Sequence, residues 1–96
     1  MDYDSRALGR VIVRLRRQRG MTQEVLSGLA GTARSNLAGI EKGGRDTALQ
    51  TFCRIAEGLG LRPSELMRMA EEAMGQGRRA PDGKRKIDNA VESDII

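Results

Sequence analysis

The chain has 96 residues, 39% of them hydrophobic and 31% charged, with a formal net charge of +4. That length favours one domain, and the balance suits a soluble globular protein: no apolar run approaches the roughly 20 residues needed to cross a bilayer, and Met1–Arg10 has no signal-peptide core, so a cytoplasmic protein is expected. With one cysteine, Cys53, and no histidine, neither an internal disulfide nor an ordinary zinc site can form, and the commonest general base is missing; no metal, cofactor or enzymatic activity is expected.

Helix signals follow one another along the chain. Leu8, Val11, Ile12 and Leu15 keep the i, i+3, i+4, i+7 spacing of a buried helical stripe, with Arg10, Arg14 and Arg17 opposite and Gly20 as a stop. Thr22 can cap a short second helix, and Glu24 suits its positive end. Gly31 then allows a sharp turn into a third helix, with Ala33, Leu37 and Ile40 expected inward and Gly43-Gly44 as its end. A fourth helix is expected from a cap at Asp46 or Thr47, where Thr47 and Gln50 match the reciprocal capping pattern, with Leu49, Phe52, Ile55, Ala56 and Leu59 inward. Pro63 opens a fifth helix carrying Leu66, Met67, Met69, Ala70, Ala73 and Met74. Five helices and no strand signal make the fold class all-α, with residues 1–75 as the folded domain. From residue 76 to 96 the composition changes: Gly, Arg and Lys, with Pro81 and Asp82-Gly83 as turn signals, read as a linker and tail. The apolar Ile87, Val91, Ile95 and Ile96 suit docking on the body or on a partner.

Charge is unevenly spread. Between Arg6 and Arg45 there are nine Lys/Arg against two acids, a local excess of +7, whereas Asp46–Gly75 has three against five, or −2. A basic half and a slightly acidic half suggest an anionic partner met at one end, with a merely solvated basic helix as the plain alternative.

Two short helices joined at a glycine, the second exposing polar residues, form a helix-turn-helix pattern. The string Gly20-Met21-Thr22-Gln23-Glu24-x-Leu26, Gly31, Ser35-x-Leu37-x-x-Ile40-Glu41-x-Gly43 resembles the Cro/cI-type repressor family, also called the xenobiotic-response-element family. The resemblance continues through Leu49-x-Thr51, Ile55-Ala56 and Leu59-Gly60 to Ser64-x-x-Leu66, and so covers roughly Leu8 to Leu66. It implies a five-helix, lambda-repressor-like DNA-binding domain with the helix-turn-helix at helices two and three, like phage repressors and restriction-modification controller proteins. It also implies a transcriptional regulator, most simply a repressor or autoregulator, that reads the major groove of double-stranded DNA as a homodimer on a near-palindromic operator. The alternative is an antitoxin or other interaction module that grips a protein partner through its tail and binds DNA secondarily.

By the same resemblance the base-reading positions are Arg34, Ser35, Ala38 and Gly39. Arg34 has the planar fork for guanine, with phosphate contact as its alternative; Ser35 can reach a base or a phosphate; Ala38 can touch a thymine methyl. Gly39 departs from relatives with a long polar side chain there and offers only close backbone approach. Phosphate contacts are expected from Gln23, Asn36, Lys42 and Arg45, with Arg14, Arg17 and Arg19 as further candidates. The family pairs a first-helix arginine with a glutamate at the end of the third helix, which here are Arg16 and Glu41. Ala33 replaces the usual Ser or Thr cap of the third helix, leaving Thr32 for that task, and Leu29-Ala30 looks transposed against the large residue usual before Gly31. The wide apolar arc of the fifth helix places Met67, Ala70 and Met74 at the dimer interface, or else in the monomer core.

Overall fold

A computed structural model describes residues 3–78, which form five helices and turns: α1 (Ser5–Gln18), α2 (Gln23–Ala30), α3 (Arg34–Glu41), α4 (Leu49–Gly58) and α5 (Pro63–Arg78). Local chemistry sets most of their ends. The Asp4 carboxylate accepts the N–H groups of Arg6 and Ala7 and starts α1, a cap that hydrophobic spacing alone does not reveal. Thr22 caps α2 as expected, its Oγ1 accepting the Val25 N–H at 3.1 Å. Gly31 closes α2 at φ +65°, the left-handed geometry that turns the chain into α3. At the start of α5, Glu65 reaches back to the Arg62 N–H at 2.7 Å.

The helices close around one core. α1 packs on α3 and α5, α2 on α3 and α4, and α4 on α5. Leu8, Val11, Ile12, Leu26, Leu37, Ile40, Ile55, Leu59 and Leu66 are all buried there, so the stripe read in α1 and most of that in α4 lie inward. Two glycines set how closely helices approach. A Cβ on Gly9 would lie 2.4 Å from the Glu41 carbonyl oxygen and 2.7 Å from that of Ile40, so α1 meets the end of α3 backbone to backbone. A Cβ on Gly58 would lie 3.0 Å from Leu26 Cδ1 and 3.3 Å from Leu29 Cβ. That tight α2–α4 contact explains the transposed pair: small Ala30 fills the narrow buried place, and Leu29 turns outward, 59% exposed.

Several expectations need correction. Ala33 is exposed at the N-cap of α3, not part of its inward face, because the helix begins one residue later. Leu49 is 74% exposed: as the first residue of α4 it lies before the turn that reaches the core. Neither Asp46 nor Thr47 caps α4; Ala48 holds the N-cap position, and the buried Thr47 Oγ1 finds no hydrogen-bond partner among the described residues. Ala70 and Met74 are 0% and 2% exposed, consumed by the monomer's own packing, and Met74 Sδ accepts the Asp4 N–H at the opening of α1. They are therefore unavailable to a dimer interface, and only Met67 of the three is half-buried. α5 runs on to Arg78, into the stretch read as linker; the expectations for the remaining tail lie outside the described residues.

Replacing Gly9 with Ala sets a gain in helix propensity of about 1 kcal/mol against a methyl group driven into two carbonyl oxygens. Overpacking of that kind costs about 1–3 kcal/mol, and fixed backbone atoms put this site at the upper end. Gly9→Ala is expected to lower unfolding stability by about 2 kcal/mol net in urea titration, with the slope unchanged.

Candidate nucleic-acid interface

α2 ends in a left-handed glycine, and the Thr32 N–H bonds back to the Ser27 carbonyl at 3.0 Å, so α3 leaves at a sharp angle. Leu37 and Ile40 anchor α3 inward, which leaves Arg34 and Ser35 exposed on the other side and Ala38 and Gly39 partly covered. Thr32 does not cap this helix: its Oγ1 accepts the Asn36 side-chain amide at 2.9 Å. No side chain among the described residues caps α3, and the Asn36 N–H turns back to the Ala33 carbonyl at 3.0 Å, so the N–H groups of Arg34 and Ser35 keep their capacity to meet an oxygen from outside.

A buried ion pair seats α3 against α1 and α2. Arg16 donates from Nε to Glu41 Oε2 at 2.8 Å and from Nη2 to Oε1 at 3.1 Å, a two-point contact, while its Nη1 bonds the Met21 carbonyl at 2.9 Å. Gln23 Nε2 adds a third donor to Glu41 Oε1 at 2.8 Å. The first residue of α2, the last turn of α1 and the last residue of α3 thus converge on one carboxylate. The Arg16–Glu41 pair matches expectation; the Gln23 bond was not foreseen. It ties one of the amide donors expected to reach phosphate and leaves the other.

The remaining candidates divide by what already holds them. Lys42 is exposed just past α3. Asn36, expected on phosphate, has its amide nitrogen on Thr32 and its oxygen on Arg45 Nη1 at 3.3 Å, so both ends are engaged within the chain. Arg45 is exposed, yet its side chain lies across α3 at Gly39, where a Cβ would sit 2.5 Å from Arg45 Nε. Bare backbone approach at Gly39 is therefore corrected: an arginine covers it. Arg19 is partly engaged, donating to the carbonyls of Leu59 at 2.7 Å and Leu15 at 3.2 Å. Arg10, Arg14 and Arg17 line an open groove beside Glu41.

The fold and this arrangement have counterparts. A family model described as "Helix-turn-helix" matches residues 12–66, more than half of the sequence. The chain belongs to that family. Over 65 residues, 68% of this chain and 84% of the other, it is 32% identical to the uncharacterised HTH-type transcriptional regulator y4dJ of Sinorhizobium fredii. The restriction-modification controller protein C.AhdI from Aeromonas hydrophila superposes with a TM-score of 0.64 at 35% identity, covering 66% of this chain and 96% of that one. The controller protein C.Esp1396I, solved as a tetramer on its natural 35 base-pair operator, gives 0.68 at 24% identity over 77% and 97% of the two chains, a likeness of fold. The five all-α elements are those of this DNA-binding architecture, and the chain is a helix-turn-helix transcriptional regulator. Among the described residues no helix is long and apolar enough to cross a membrane.

In this helix-turn-helix the Glu41 carboxylate sits in the basic half, and truncating either partner would leave the other charge buried. Breaking such a pair costs about 3–5 kcal/mol. Glu41→Gln is expected to lower unfolding stability by roughly 3 kcal/mol, the low end of that range because the amide keeps an acceptor for Arg16, and to shift the thermal midpoint down in calorimetry.

Proposed function

We propose that this regulator binds a near-palindromic operator in double-stranded DNA as a homodimer and acts as a repressor or autoregulator. The observation that carries the reading is the seating of α3: an outward helix with no side-chain cap, exposing Arg34 and Ser35, and gripped from behind by one buried carboxylate. A helix so placed fits the major groove, where each base pair presents its own donors and acceptors. Arg34 reads guanine through O6 and N7, Ser35 reaches a base edge or its phosphate, and Ala38 meets a thymine methyl. Lys42 and the free amide hydrogen of Gln23 hold phosphates on either side. No enzymatic step is assigned to any residue, and action on the nucleoid in the cytoplasm follows from the reading.

Two copies are needed because one helix-turn-helix makes few base contacts, and half-sites one helical turn (about 34 Å) apart require a symmetric pair. Since Ala70 and Met74 are internal, the dimer surface shifts toward the cleft lined by Tyr3, Leu49, Phe52 and Met67. Leu49 is the most exposed large apolar side chain among the described residues, and a second copy is the partner that would cover it.

Selection from random duplexes, followed by titration at several salt concentrations, tests the DNA reading. Arg34→Ala is expected to relax preference at one base pair per half-site, a loss of about 1–3 kcal/mol of discrimination. Lys42→Ala is expected to weaken all duplexes alike and to reduce the slope of log affinity on log salt by about 0.9. A wild-type chain that enriches no sequence would defeat the reading. For the dimer, Leu49→Glu is expected to convert the sedimenting species to monomer and to lower operator affinity at least about tenfold (about 1.4 kcal/mol), while the melting curve of the monomer holds.

A further inference from the structure

The outer face of α3 carries a side chain that α3 does not supply. Ser35 and Gly39 are four residues apart and so share that face, one turn further along the groove. A glycine there leaves an α-helix with no side chain at the position best placed to reach bases beyond Ser35. The space is filled all the same. A Cβ on Gly39 would lie 2.5 Å from Arg45 Nε and 3.2 Å from both Cδ and Cζ, so the Arg45 stem occupies the start of the missing side chain's path.

The arginine is held in that position. Its Nη1 donates to Asn36 Oδ1 at 3.3 Å, and the Asn36 amide is oriented by its own bond to Thr32 Oγ1 at 2.9 Å. Thr32, Asn36 and Arg45 form a row along the helix with Gly39 as its floor. Arg45 remains exposed, and no carboxylate among the described residues lies within ion-pair distance of it. One of its five N–H donors bonds a side chain of the chain, which leaves donors on the guanidinium for a base edge.

From this geometry, and resting on the DNA-binding reading above, we infer that Arg45 is a base-reading residue: it takes the place of the side chain that Gly39 lacks and recognises a guanine at the far end of α3. Asn36 is a positioning residue for it. A phosphate clamp needs only charge and reach off the end of the helix, and Lys42 meets that need. An arginine laid across the helix and fixed at one nitrogen presents a fork, the geometry that matches guanine O6 and N7. Glycine at position 39 is then a requirement for recognition, because any larger residue displaces the arginine.

The full chain and its Arg45→Ala, Arg45→Lys, Gly39→Ala and Asn36→Ala variants would be carried through selection from random duplexes, with thermal melting to check folding. Arg45→Ala is expected to erase a preference of about ten- to one-hundredfold at one base pair per half-site, distinct from the pair lost in Arg34→Ala. Arg45→Lys keeps the charge and loses the fork, so it should erase the same preference while the salt slope holds. Gly39→Ala should reproduce that pattern with melting unchanged or raised, and Asn36→Ala should blur it. The inference is overturned if Arg45→Ala weakens every duplex equally with all base preferences intact, or if Gly39→Ala leaves selection as in the wild type. A wild-type chain that selects normally while these variants change nothing sinks only this inference; one that selects nothing removes the DNA-binding reading and this inference with it.

Discussion

The Arg16–Glu41 ion pair is the contact on which the rest of the exposed architecture turns. Glu41 ends α3, Arg16 lies in the last turn of α1, and Gln23 opens α2, so one carboxylate is the hub of three helices. Taking both charges out of water offsets much of their attraction, and the pair need not add net stability. Its value is directional. Two parallel N–H···O bonds fix the plane of the carboxylate, and the third N–H on the Met21 carbonyl fixes the plane of the guanidinium. A leucine pair of similar volume would fill the space without any such directed bonds. The pair also solves an electrostatic problem, since an unpaired acid in the basic half would repel the phosphates that the neighbouring arginines attract.

Close backbone approach is the second constraint, and it supports the first. Gly9 lets α1 come against the carbonyls of Ile40 and Glu41, which brings Arg16 within reach of the carboxylate. On the other side, Gly58 and Ala30 narrow the gap between α2 and α4, so the turn at Gly31 starts from a fixed position. The large apolar residues provide the free energy of folding, as burial of Leu8, Ile12, Leu26, Leu37 and Leu59 would in any small helical domain. Small residues decide where the helices sit relative to one another.

This division explains what the sequence could tell. Thr22 and Gly31 were legible because a cap and a left-handed turn are local events, decided by the residue itself and the next few. The α1 stripe was legible because four spaced apolar residues have one reading. Leu49 and Ala33 were misread because spacing marks a stripe but not where a helix begins, and a residue just before the first buried turn fits the pattern while facing water. Asp4 was missed because it precedes any periodic residue. The arc on α5 was real, but α5 packs on two helices at once, and spacing cannot separate an arc used by two neighbours of the same chain from one left for another chain. Ala70 and Met74 fell on the wrong side of that ambiguity. The ion pair was reached through the likeness to relatives, whereas Gly9 and Gly39 carry no local signal. What would clash with their absent side chains lies 32 residues along for Gly9 and 6 for Gly39, outside any helical repeat.

Gly39 shows why such silence matters. Glycine inside a helix costs about 1 kcal/mol relative to alanine, a heavy charge on a helix of eight residues. Stability alone gives no reason to keep it, because the position faces outward and packs on nothing in the core. The residue that does meet it, Arg45, comes from the segment between α3 and α4 and is tied to α3 through Asn36. The outer face of α3 is therefore built from two stretches of chain. The helix supplies Arg34 and Ser35 in fixed positions; the following segment supplies an arginine whose placement depends on a missing Cβ. A surface composed this way separates two properties that a lone helix would couple. Changes between residues 42 and 48 can alter the far end of the face without disturbing the helix's own fold, because Glu41 and Ile40 hold the helix from beneath.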